Sequence, residues 1–311
     1  MASLALITVY HFNSSDSEPY ARLVRSLRSS ISQLGPTDRL ILVANGVRDS
    51  AADPDLVIKD VNPTDQDRIV PVIMLKNGGA AGGLNVGISA ALREECHWLG
   101  PVQSGVVVSP TWVEQMRSCA CDGVHSLGGR LTYEDQPNVV WSDGHYLKEG
   151  RTWDVGQKSR VHAPPQIPGR WMFPCLSACL FSRDSAEKVR SEYGNFVTEQ
   201  LSHYGDCPDV ALRCAHVAHA NFSFNTNALG TKRRPVLERG NIASSQLIAA
   251  QRYYDGRTAC GRKRLETNER DRRFVDDAER RAQQFGAAPY SPLTTTAPRA
   301  RADHDREWGH P

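Results

Sequence analysis

Residues 76–88 read Lys-Asn-Gly-Gly-Ala-Ala-Gly-Gly-Leu-Asn-Val-Gly-Ile, and their reading decides the fold. Five of the thirteen are Gly and two are Ala, so the backbone here is free to take positive φ or to approach another group closely. An apolar run, Ile69 to Leu75, precedes the stretch, and a helical pattern from Val86 to Leu92 follows it. That order predicts a strand-to-helix corner set against a ligand. Asn77 and Asn85 add side-chain amides that can hydrogen-bond a nucleotide or brace the loop itself. The plainer alternative is a tight connection whose small residues only permit close packing. No Gly-Lys-Ser/Thr follows, which excludes a Walker A loop. The segment also comes too late to be the first βα turn of a dinucleotide-binding unit.

Outward from this segment, strands and helices alternate. Ala5–Tyr10 reads as a first strand, and Ser17–Leu34 as an amphipathic helix with Leu23, Leu27, Ile31 and Leu34 on one face. Arg39–Ala44 is a buried-type strand closed by Asn45-Gly46, Arg68–Leu75 a third strand, and Asn85–Glu95 the helix after it. Val106–Val108 is a fourth strand fragment, and Ser109-Pro110 is expected to cap a helix over Thr111–Cys119. This alternation predicts an α/β fold with a mostly parallel central sheet. From Gly128 to Pro174 short strands and long loops are expected. Cys175–Phe181 then reads as a strand, Arg183–Tyr193 and Asp209–His219 as helices, and Asn221–Phe224 as a last strand.

Three regions follow: a domain over residues 1–230, a basic helical extension over 231–285, and a tail over 286–311 whose Ala-, Pro-, Thr- and Arg-rich composition predicts disorder. With 40% apolar residues, 23% charged residues and a net charge of +2, the 311-residue chain resembles an ordinary globular protein and offers no whole-chain attraction to nucleic acid. No apolar run approaches the roughly 18–20 residues of a membrane span. The N-terminal residues lack a basic leader, so no signal peptide is expected. Eight Cys show no Cys-x-x-Cys spacing, and Cys175 and Cys179 read as buried thiols. Both points favour a reducing cytoplasm.

The Gly-rich segment resembles that of family 2 glycosyltransferases of the GT-A fold, particularly rhamnosyl- and galactofuranosyl-transferase-like members. These carry an Asn-x-Gly-x-x-Gly-Gly-x-Asn-x-Gly stretch, matched here by Asn77, Gly79, Gly82, Gly83, Asn85 and Gly87. The resemblance covers roughly residues 4–228. It implies a nucleotide-sugar donor, a hydroxyl acceptor on a glycan, protein or other molecule, and a donor pocket lined by these residues. Tyr10, Asn13 and Asn45 would join them from the ends of the first two strands. The family commonly has Asp-Asn-Gly-Ser after the second strand, whereas this chain has Ala44-Asn45-Gly46-Val47.

The family also holds Mg²⁺ or Mn²⁺ on an Asp-x-Asp motif before Val-Val-Val-Ser-Pro, and the ion offsets charge on the leaving diphosphate. Here the motif is Gln103-Ser104-Gly105, without a carboxylate. The implied enzyme is therefore either metal-independent or uses Mg²⁺ or Mn²⁺ through other ligands. Gln103 and Ser104 are expected at the donor, and no metal ligand is assigned. Inverting members carry Glu-Asp-x-Asp followed four residues later by Arg. This chain reads Asp206-Cys207-Pro208-Asp209, with Arg213 at the Arg spacing. Asp206 is expected as the general base and Asp209 as a second catalytic or orienting carboxylate, with a helix N-cap as the alternative for either. Trp171 is expected beside the acceptor. Lys232–Arg234 reads either as a solvated linker or as a cationic partner of the diphosphate. The rival reading of the whole chain is a GT-A domain that has lost catalysis and serves as a binding or scaffolding protein.

Overall fold

The computed structural model describes residues 3–11, 17–49, 53–61, 66–148, 151–162, 172–199, 206–218 and 221–233. The expected helical extension beyond 233 and the tail lie outside them, as do Asn13 and Trp171.

The first half runs β1 (Leu4–Tyr10), α1 (Ser17–Ile31), β2 (Arg39–Asn45), α2 (Pro54–Val61), β3 (Ile69–Met74), α3 (Gly79–Ala91), β4 (Trp98–Pro101), β5 (Val106–Val108) and α4 (Trp112–Ser118). The second half runs β6 (Val124–Tyr133), β7 (Val140–Ser142), β8 (His145–Lys148), β9 (Arg151–Asp154), β10 (Met172–Phe173), β11 (Cys179–Ser182), α5 (Arg183–Tyr193), α6 (Asp206–Ala218) and β12 (Asn221–Lys232). The main sheet has the order β3-β2-β1-β4-β11-β6-β12-β5, with β7 paired to β6. Its first four strands are mutually parallel. β11 enters antiparallel between β4 and β6, and β12 runs parallel to β6. A small sheet, β10-β8-β9, stands apart.

Helices cover both faces, which is why β1 and β2 read as near-continuous apolar runs. Alternate residues serve opposite cores: Leu4, Leu6, Leu40 and Leu42 pack with Leu23, Leu27, Val57, Trp112 and Met116. Ala5, Ile7, Ile41 and Val43 pack with Ala81, Leu84, Ile88, Val189 and Val210. Among the described residues no helix is long and apolar enough to cross a membrane.

Several boundaries differ from the sequence reading. The helix expected from Asn85 begins at Gly79, so most of the Gly-rich segment is helix rather than corner. Gly is a poor helix former, and here close packing on the strands overrides that preference. β4 has no clear signature in the sequence, because two of the four residues in Trp-Leu-Gly-Pro, Gly and Pro, are depleted in strands. Its Gly100 is needed because a Cβ there would stand 2.1 Å from the Cys179 carbonyl oxygen of β11. Ser109 is not the cap of α4, which starts after Thr111. The last strand extends eight residues beyond Phe224, to Lys232, through pairing with both β6 and β5.

Candidate functional site

The carboxyl ends of β1, β2 and β4 carry four of the expected donor residues, Tyr10, Asn45, Gln103 and Ser104. Tyr10 closes β1 and is buried, and burial foremost, then Asp53, raises its phenol pKa. Asn45 closes β2 with only 2% of its surface exposed. Its Nδ2 donates to the Gly79 carbonyl (2.9 Å), and its Oδ1 accepts from the Gly78 N–H (2.9 Å). The amide expected to meet a nucleotide thus ties the second strand to the start of α3. Asn77 is exposed, and its Oδ1 accepts from the Gly79 N–H at 2.9 Å, an Asx turn leading into the helix.

The glycines of α3 divide into two sets. A Cβ on Gly83 would stand 2.5 Å from Val9 Cγ1, and one on Gly87 2.4 Å from Ile7 Cγ2. These two let the helix lie directly on β1. Among the described residues nothing stands within 4 Å of where a Cβ would lie on Gly79 (φ +71°, exposed) or on Gly82, which is itself buried. The described residues leave space beside the helix N-terminus, whose dipole favours an anion.

Asn85 belongs to neither set. It is buried, its Oδ1 accepts from the N–H groups of Phe196 (3.1 Å) and Val197 (2.8 Å), and its Nδ2 donates to the Val197 carbonyl (2.8 Å). Its amide braces the segment after α5, and the geometry therefore gives it a positioning part rather than a donor contact.

Before Gln103-Ser104-Gly105, Thr8 Oγ1 donates to the Val102 carbonyl (3.0 Å), holding the next residue beside the end of β1. Gln103 and Ser104 are exposed, and Gly105 turns the chain at φ +88° into β5. Gln103 Oε1 accepts from Lys232 Nζ (2.6 Å) and from Ser177 Oγ (3.1 Å). Lys232 Nζ also donates to Ser177 Oγ (2.8 Å) and lies 4.2 Å from the centre of the Trp141 ring. Lys232 therefore ends β12 with its ammonium at Gln103, not in a solvated linker.

On α6, the backbone places Asp206 at the first residue. Asp209 lies one turn inside the helix, so it is not the N-cap. It is fully buried, accepts from Thr198 N–H (2.8 Å) and Thr198 Oγ1 (3.0 Å), and pairs with Arg213. Arg213, 1% exposed, also donates to the Asn195 carbonyl (2.9 Å) and Oδ1 (2.8 Å), with its guanidinium over the Tyr193 ring. The Asp-x₃-Arg spacing therefore builds a buried joint between α5 and α6, with Asp209 0% exposed.

A second cluster escaped the sequence reading. His145 at the start of β8, Cys175 in the turn before β11 and Cys207 in the first turn of α6 bring their ligand atoms within 4.8 Å of one another. Cys207 Sγ also accepts from the Leu176 N–H at 3.4 Å. Cys207, outweighing the opposing effect of burial, together with His145 and Lys232 holds the Cys175 thiol well below its usual range. Burial opposes protonation of His145, but Cys175 and Asp154 outweigh it and lift the imidazole to about 10. Residues so far apart in sequence give no spacing signal, and only their convergence in the fold reveals them.

No protein-family model matches the chain, and no curated protein matches it in sequence. Among solved structures, the S. aureus TarS 1-349 fragment matches with a TM-score of 0.53 at 13% identity, over 99% of this chain and 89% of that one. The same fragment in complex with UDP-GlcNAc gives 0.50 at 12% identity, with the same coverage of 99% and 89%. The mannosyltransferase PcManGT from Pyrobaculum calidifontis, in complex with GDP-Man and Mn²⁺, gives 0.50 at 11% identity over 96% and 79%. Identities this low carry the fold alone. The chain has the GT-A fold.

Proposed function

We propose that this protein is a glycosyltransferase of the family 2 type, moving a sugar from a nucleoside-diphosphate donor to an acceptor hydroxyl with inversion, in a reducing cytoplasm. The observation that carries the reading is the open space left by Gly79 and Gly82 at the carboxyl ends of parallel strands, the usual ligand crevice of such sheets. The structural likeness to TarS and PcManGT, bound to UDP-GlcNAc and GDP-Man in their complexes, supports it.

The residues present do not fit the family's divalent ion. Gln103, Ser104 and Gly105 supply no carboxylate, and an ammonium already sits 2.6 Å from Gln103 Oε1. Hard oxygen ligands are what Mg²⁺ and Mn²⁺ require. In this reading Lys232 supplies a fixed positive charge toward the donor diphosphate, steadied by Gln103, Ser177 and Trp141. The acceptor oxygen bonds to the anomeric carbon as the bond from that carbon to the diphosphate breaks. The hydroxyl proton passes to the Asp206 carboxylate. Tyr10, Asn45 and Asn77 shape the nucleotide end, Asn13 belongs with them, and Trp171 is assigned to the acceptor.

Calorimetric titration with a panel of UDP-, GDP- and dTDP-sugars, including rhamnosyl and galactofuranosyl donors, tests the proposal. One donor is expected to bind equally with Mn²⁺ or EDTA. Lys232→Met is expected to weaken that donor about 10- to 100-fold, the scale of a hydrogen bond to a charged group. Donor affinity that vanishes in EDTA, or survives Lys232→Met unchanged, removes Lys232 from the role. Failure of every donor to bind removes the transferase reading.

The glycines give a separate check. Gly82→Val is expected to leave a folded chain and weaken the donor at least tenfold, because the new side chain enters the open space. Gly87→Ala is expected to destabilise the fold by about 1–3 kcal/mol through overpacking against Ile7. Chemical denaturation of both variants, beside donor titration, separates the two sets. Equal stability loss at both positions counts against an open crevice at Gly82.

A further inference from the structure

We propose that His145, Cys175 and Cys207 form a binding site for a soft divalent metal ion of the zinc class. Three observations converge on it. First, the donor atoms lie within 4.8 Å of one another, although they come from the small sheet, the turn before β11 and the first turn of α6. Tetrahedral zinc at its usual bond lengths spaces ligand atoms roughly 3.5–3.8 Å apart, so only a small closure is needed. Second, His145 is 8% exposed, and neither of its buried ring nitrogens makes a hydrogen bond of full geometry among the described residues, its neighbours there being Cys175 and Asp154. A buried polar atom left in that state requires a partner. Third, Asp154 Oδ1 stands 2.9 Å from His145 Nδ1. A carboxylate on one ring nitrogen directs the other at a metal, the arrangement that orients most metal-bound histidines.

The charge balance also fits. Two thiolates and one divalent ion make a neutral unit, which tolerates burial and the neighbouring Lys232 better than either charge alone. Two sulfurs and an imidazole select zinc-like ions over Mg²⁺ or Mn²⁺, so this site is chemically distinct from the family's diphosphate-bound ion. Three protein ligands leave a fourth position for water. The ion would fasten the first turn of α6, where Asp206 precedes Cys207, to the small sheet. That consequence for Asp206 rests on its reading as the base; the metal site does not.

The test uses the full chain, reduced and stripped of metal, titrated with Co²⁺. The expected result is a thiolate-to-cobalt charge-transfer band and tetrahedral d–d bands that saturate at one equivalent, vanish on adding Zn²⁺, and accompany a rise in Tm. Cys175→Ser and Cys207→Ser should each lose the band, and the exposed-cysteine control Cys121→Ser should keep it. Asp154→Asn should keep the band but bind about 10- to 100-fold more weakly. The wild-type titration and its Tm stand even where a cysteine variant fails to fold. A wild-type chain with no cobalt band overturns the proposal, as does a band that survives loss of both cysteines. A Cys175–Cys207 disulfide that persists in reducing buffer and excludes the metal overturns it too. None of these readouts uses glycosyl transfer, so the site can fail while the transferase reading stands.

Discussion

Asp209→Ala is expected to lower the stability of the fold by about 3–5 kcal/mol, the usual cost of removing one member of a buried ion pair. The variant would strand Arg213, which is 1% exposed, and would release Thr198, whose N–H and hydroxyl both bond to the lost carboxylate. Against a total stability of roughly 5–15 kcal/mol, this is enough to populate the unfolded chain. Urea unfolding checks it: the midpoint should fall with an unchanged slope. A loss below about 1 kcal/mol would mean that the buried pair adds little net stability to the fold. The double variant Asp209→Leu with Arg213→Met should recover much of the loss, because exchanging both charges leaves none uncompensated. Full additivity of the two single changes would show that they do not act as a pair.

Asp206→Asn carries the second large effect, this time on turnover. If Asp206 accepts the acceptor's proton, kcat should fall by about 10²- to 10⁴-fold, the contribution of a positioned general base. Donor affinity should hold, because the base addresses the acceptor and not the diphosphate. Stability should hold as well, since the buried joint of α6 is made by Asp209 and Arg213. Initial rates at saturating acceptor, with donor titration in parallel, separate these quantities. A loss of donor affinity with kcat preserved would move Asp206 out of the base role. Transfer unaffected by the change would remove the acidic pair from the mechanism.

The two aspartates show how far spacing alone can be trusted. Asp209 and Arg213 keep the interval of the family that the sequence resembles, and four residues on a helix do place them together. The interval does not say whether the pair faces a cleft or the interior. Here Thr198, Asn195 and Tyr193 close over it. Asn85 and Asn45 repeat the lesson, since an amide in a Gly-rich segment bonds backbone as readily as it bonds a ligand. Both are committed to backbone, Asn85 to Phe196 and Val197 and Asn45 to Gly78 and Gly79.

The sequence by itself determined the layering. Near-continuous apolar runs at 5–10 and 39–44 point to strands covered on both faces, and the amphipathic helix over Leu23, Leu27 and Ile31 supplies one cover. It also located the Gly-rich segment that starts α3 beside the parallel strands. Those features are local, and local periodicity reports burial directly. Only the tertiary structure decided which glycines pack and which leave space, because that depends on where Val9 and Ile7 of β1 stand under the helix. Only strand order could bring Lys232 to Gln103, 129 residues away, by pairing β12 with β5. The meeting of His145, Cys175 and Cys207 depends likewise on the small sheet, β11 and α6 converging at one place. Side chains that converge from separate elements leave no periodic trace along the chain, so their chemistry appears only once the elements are assembled.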